Sequence, residues 1–123
     1  MSAVVPPDGL SHLRVTFSDT AYIGPGRADL MELIGSTGSI SAAGKAMGMS
    51  YKRAWSLVQA LNSGFGTVLV ESSRGGAAQG GAQLTEAGQT VLAHYRSMQD
   101  KTRVAIADDV AALRERFDMA GRK

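Results

Sequence analysis

The sequence predicts a mainly α-helical fold with a small β wing and a long C-terminal helix for dimerisation. Three observations carry this. Two short helical patterns, over residues 39–47 and 50–62, meet at a glycine turn. A glycine-rich stretch, 72–83, separates two short β-type runs. A heptad-like apolar seam then runs over residues 91–117. Together they define a winged helix-turn-helix.

The elements follow in chain order. Pro6, Pro7 and Gly9 break the first stretch, so residues 1–12 read as a flexible N-terminal arm. Leu13, Val15 and Phe17 alternate with polar neighbours, as in a short strand. Gly24, Pro25 and Gly26 then punctuate the chain. From Arg27 a first helix begins, with Leu30, Leu33 and Ile34 on one face, and it ends over 35–38. Ser39 caps a second, short helix that buries Ile40, Ala43 and Met47 and stops at Gly48. Ser50 caps a third, running to about Asn62, whose Ala54, Leu57, Val58 and Leu61 form one stripe at i, i+3, i+4 and i+7. Residues 68–70 and 83–85 are the strands of a hairpin with a long glycine-rich tip, and Thr85 caps the last helix. The winged domain thus spans 13–85 and the dimerisation segment 86–123.

The turn between the second and third helices needs glycine twice. Gly48 supplies a permissive backbone for the turn. Gly44 lies where the two helices approach, so a small side chain is required.

Charge is distributed unevenly. The chain has 123 residues and a net charge of only +2, yet no acidic residue lies between Glu32 and Glu71. Lys45, Lys52 and Arg53 lie within that gap. Projection of the third helix at about 100° per residue puts Lys52, Ser56, Gln59 and Ser63 opposite the apolar stripe, with Tyr51, Trp55 and Asn62 on one flank and Arg53 on the other. Such a face suits the major groove of double-stranded DNA: Lys and Arg donate to guanine, Gln pairs with adenine, and Ser serves a base or a phosphate. Ser50, Tyr51, Lys52, Arg53, Ser56 and Gln59 are therefore the candidate DNA-binding residues, with Lys45 nearby for a phosphate. Arg74, in the glycine-rich tip, is either a wing contact to the minor groove or phosphate, or simply exposed. Trp55 reads as partly buried.

Other classes find less support. The histidines, His12 and His94, have no carboxylate at a spacing that suggests a dyad, and there is neither a phosphate-binding lysine loop nor a metal-ligand cluster. No enzyme, no cofactor and no metal are expected. No apolar run approaches the roughly 18 residues of a membrane span. The absence of cysteine fits a cytoplasmic protein. A protein-interaction winged helix, or a non-specific DNA-binding architectural protein, is the alternative to a sequence-specific regulator. The former would favour apolar or acidic residues at Lys52, Ser56 and Gln59.

The seam of the last helix comprises Val91, Tyr95, Met98, Thr102, Ile106, Val110, Leu113 and Phe117, in steps of 4, 3, 4, 4, 4, 3 and 4. It is too long for the rest of a small domain to cover, so it predicts a homodimer, with Thr102 as a semi-polar step. The alternative is two helices broken near Asp100 that fold back on the domain.

The runs GSISAAGKAMGMSYKRAW and LVESSRGGAAQGGAQLTEAG resemble the N-terminal DNA-binding domain of the ModE-type molybdate-responsive regulators, a winged helix related to the LysR-type head. The resemblance covers roughly residues 23–95. It implies that residues 50–55 belong to a recognition helix, that Arg74 is a wing residue, and that dimers bind palindromic operators near molybdate-transport or molybdoenzyme genes. The wing has fewer glycines and one basic residue fewer than the family pattern. The small β-barrel modules that bind molybdate in this family have no counterpart before Lys123, so no molybdate binding is expected from this chain.

Overall fold

A computed structural model describes residues 9–73 and 81–121. Val15–Thr16 (β1) pairs antiparallel with Tyr22–Ile23 (β2), Val15 opposite Ile23. The strand expected over 13–17 is thus only two residues long, and it has a partner that no alternation announced. The backbone N–H groups of Phe17 and Ser18 donate to the Ala21 carbonyl, and the Ser18 hydroxyl accepts from Ala21 N at 3.0 Å, closing the turn. Helix α1 (Pro25–Thr37) starts two residues before Arg27, because a proline in the first turn forfeits no intrahelical bond. Arg27 clamps the hairpin to α1. It is 7% exposed, it donates to the carbonyls of Thr20 and Tyr22 at 3.3 and 3.2 Å, and its guanidinium lies 3.6 Å from the centre of the Tyr22 ring.

Helices α2 (Ile40–Ala46) and α3 (Tyr51–Phe65) follow, α3 running three residues beyond Asn62. Strand β3 (Val70–Ser73) pairs antiparallel with β4 (Gly81–Leu84), Val70 opposite Leu84 and Ser73 opposite Gly81. This hairpin is the expected wing, with its strands shifted toward the tip. Its tip, including Arg74, lies outside the described residues. Ala82 N donates to the Gly38 carbonyl at 2.9 Å and anchors the wing to the turn between α1 and α2.

The last helix, α4 (Glu86–Ala120), is 35 residues long and unbroken, so the break considered near Asp100 does not occur. Thr85 caps it by accepting from Gly88 N at 3.0 Å. One core joins Leu30, Met31 and Ile34 of α1, Ile40 and Ala43 of α2, Ala54, Val58 and Leu61 of α3, Leu69, Val70 and Ala82 of the wing, and Tyr95 of α4. From α4, Ala87, Val91, Leu92 and Met98 pack against that core around Tyr95.

Tyr95 corrects one expectation. It was assigned to a dimer seam, yet it is 0% exposed within its own chain, and its hydroxyl donates to the Leu13 carbonyl at 2.7 Å. Its ring is occupied inside the domain and has nothing left to offer a second chain. Val91 and Met98 are half-buried against the same core. Ile106 and Val110 are half-buried, whereas Leu113 and Phe117 are 70% and 77% exposed.

Candidate nucleic-acid interface

The site is built on α2, α3 and the turn between them. The Ser39 hydroxyl accepts from Ala42 N and starts α2. Gly48 has φ +73°, a left-handed conformation that glycine adopts without strain. Met49 N donates to the Gly44 carbonyl at 2.9 Å and locks the turn. A Cβ at Gly44 would lie 2.9 Å from the Ala54 Cβ, so the crossing of α2 and α3 depends on its absence. The Ser50 hydroxyl accepts from Arg53 N at 3.1 Å and starts α3.

Burial of Ala54, Val58 and Leu61 fixes the rotation of α3 and therefore what it presents outward. Tyr51, Lys52, Arg53, Ser56 and Gln59 are all exposed, as is Ser50, whose hydroxyl also serves as the helix cap. Lys45, in the last turn of α2, is exposed as well. The fold thus brings seven of the eight candidates to the surface of one helix pair; the eighth, Arg74, lies outside the described residues. Arg53 stands apart from the others: it lines a cleft of about 210 Å³ with Arg14, Tyr22, Arg27 and Leu57. Trp55, read as partly buried, is 37% exposed and stacks on Tyr51 with ring planes 13° apart.

No carboxylate lies on α2 or α3. Asp29 and Glu32 of α1 both pair with Arg96 of α4, at 2.8 and 3.1 Å. Asn62 couples α3 to the wing: its amide oxygen accepts from Leu69 N and Val70 N at 2.8 and 3.1 Å, and its amide nitrogen donates to the Val70 carbonyl at 3.0 Å. Sequence reasoning placed Asn62 on the flank of α3 but found no role for it. A lone amide beside a helix end carries no signal of the strand it will meet. Arg14 was missed for the same reason: it reaches the cleft through β1, whose pairing was not foreseen.

Among the described residues no group of three histidines, cysteines or carboxylates could hold a metal, and no helix is long and apolar enough to cross a membrane.

Residues 29–89 match the bacterial regulatory helix-turn-helix proteins of the lysR family, so this part of the chain is a helix-turn-helix domain of that type. Among solved structures, a DNA complex of the CbnR DNA-binding domain is similar with a TM-score of 0.58 and 25% identity, over 72% of this chain and 95% of that one. Within the class the chain is similar to ModE-type proteins, as residues 23–95 suggested. It is 46% identical over 79 residues to the molybdenum-pterin-binding protein MopB of Rhodobacter capsulatus, covering 64% of this chain and 29% of that protein. It is 34% identical over 102 residues to the DNA-binding transcriptional dual regulator ModE of Escherichia coli K12, covering 80% and 39%. The chain therefore spans well under half the length of these relatives.

Proposed function

We propose that the protein is a transcriptional regulator that binds double-stranded DNA sequence-specifically as a homodimer, at a palindromic operator linked to molybdate transport or molybdoenzyme genes. The observation that carries this is the outward face of α3: Lys52, Ser56 and Gln59 exposed in line, Arg53 beside them, and no carboxylate between Glu32 and Glu71. The N-terminal turns of such a helix reach base edges in the major groove, and the wing then meets the backbone or minor groove. The similarity to a DNA-bound lysR-type domain supports the same orientation, and the ModE relatives support the molybdate link.

The apolar second half of α4 supports the homodimer. The seam's steps read identically in both directions. Two copies laid antiparallel about residue 104 therefore set Val91 against Phe117, Met98 against Val110, and Thr102 against Ile106, while Leu113 passes over the turn that holds the buried Tyr95 and meets its neighbours rather than its ring. An apolar cleft of about 330 Å³ beside Val91 and Met98, lined also by Phe17 and Phe65, is open to the second copy's Phe117. Two recognition helices would then enter successive major grooves about 34–36 Å apart.

Selection from randomised duplex DNA tests the proposal. Enrichment of a two-fold symmetric site with half-sites one helical turn apart is expected. Retention without an enriched sequence would indicate a non-specific DNA-binding protein, and no retention would leave an interaction module. Lys52→Ala and Arg53→Ala are each expected to weaken operator binding by about 1–3 kcal/mol. Unchanged affinity in both removes this reading face. Sedimentation at micromolar concentration checks the dimer, and a monomer there overturns it.

A further inference from the structure

The exposed face of α3 carries a feature that the polar residues do not explain. Tyr51 and Trp55 are 56% and 37% exposed, one helical turn apart, with ring centroids 6.5 Å apart and planes 13° from parallel. Among the described residues neither the Tyr51 hydroxyl nor the Trp55 indole N–H has a hydrogen-bond partner, and no other aromatic side chain stacks on the pair. Large aromatic side chains left open beside a charged face mark a surface that another molecule covers.

Their position narrows what that molecule presents. At about 100° per residue, Trp55 lies some 60° around α3 from Lys52, on the flank that continues to Asn62. Asn62, two turns further along that flank, holds strand β3. Lys52 and Arg53 precede Trp55 by three and two residues, both exposed, and no carboxylate lies nearby in sequence. An apolar protein partner would have to bury those cations unpaired. Duplex DNA does not, because its phosphates meet the cations while its bases meet the rings.

Within the major groove one base group is apolar: the C5-methyl of thymine. Ring faces and edges make van der Waals contact with a methyl where they make none with a bare C5–H. The 6.5 Å between ring centres corresponds to about two base steps of 3.4 Å each. We infer that Tyr51 and Trp55 form a stacked aromatic wall that reads thymine methyl groups in the operator, adding apolar discrimination to the hydrogen bonds of Lys52, Ser56 and Gln59. This rests on the reading of α3 as the DNA-reading helix and specifies which bases it selects on one flank.

The test replaces thymine with deoxyuridine, which pairs identically but lacks the methyl. The selected operator is made with deoxyuridine at each thymine singly and at all of them together. Binding is measured by anisotropy and by emission from Trp55, the sole tryptophan. Wild type is expected to lose about fourfold at each contacted position, with those positions clustered within two steps of one another in each half-site. Trp55 emission should change on the thymine operator and change less on the deoxyuridine one. Trp55→Ala should bind the thymine operator more weakly and no longer distinguish the two at those positions. Tyr51→Ala, at the more exposed ring, provides the same comparison should Trp55→Ala fail to fold. Equal affinity of wild type for both operators overturns the inference and leaves DNA binding intact. So does undiminished discrimination in a folded variant. Failure of wild type to retain any duplex overturns the reading of α3 itself.

Discussion

The two halves of α4 share one apolar spacing and meet different surroundings. From Glu86 to Gln99 the helix is a wall of the domain: Tyr95 is fully buried, Val91 and Met98 pack against the core, and Arg96 reaches two carboxylates of α1. From Val104 onward the same helix carries Val104, Leu113, Phe117 and Met119 at 63–79% exposure. A seam with i, i+3 and i+4 steps needs apolar cover, but spacing does not say whose. The neighbours decide: the first half meets α1, the wing and the β1–β2 hairpin, whereas the second extends past all of them. A 35-residue helix is about 52 Å long, well beyond what one small domain can flank.

The largest effect that separates the halves is expected at Tyr95. Tyr95→Ala leaves a cavity in the core and removes the bond to Leu13, and it should cost about 3–5 kcal/mol in urea unfolding. An equal loss at Leu113 would erase the distinction. The double variant Leu113→Asp with Phe117→Asp should cost about 3 kcal/mol of self-association. It should leave the unfolding of the isolated subunit within about 0.5 kcal/mol of wild type, since both sites are exposed in the single chain. Dimers that persist in sedimentation would assign the exposed half another role.

The smallest effect is one of pH. Burial pushes the Tyr95 phenol above its ordinary value of 10, and the Asp29 charge adds to this against the lowering effect of Arg96. A phenol raised in the folded state contributes stability that is fully present below the unfolded value and is lost as pH rises through the folded one. Wild type should therefore lose stability above pH 10, and Tyr95→Phe should show a shallower decline over that window. Identical slopes in thermal melts would mean that burial of Tyr95 does not govern its ionisation.

Much of the fold was legible because its signals are local. Ser39, Ser50 and Thr85 all cap the helices they were expected to cap, each by accepting a bond from the N–H three residues ahead. The glycines at 44 and 48 marked the crossing and the turn. What was illegible depends on distant neighbours. Strand β2 is two residues long, too short for any alternation, and exists because Arg27 and the Val15–Ile23 pairing hold it. Tyr95 fits the seam by spacing alone, and only the arrival of Leu13 and Gln99 makes it a core residue. At the interface, the polar face of α3 followed from a helical wheel. The stacking of Tyr51 on Trp55 required the rotation that buried Ala54 and Val58 impose.

The bond from Tyr95 to the Leu13 carbonyl joins groups 82 residues apart. A ribosome adds about 5–20 residues per second, so Leu13 is added roughly 4–16 s before the residue that latches it. The three helices of the DNA-reading unit are synthesised within that interval. The N-terminal hairpin, clamped early to α1 by Arg27, thus gains its tie to α4 only late, and a nascent chain halted before Tyr95 would carry a complete reading helix with Leu13 still unlatched.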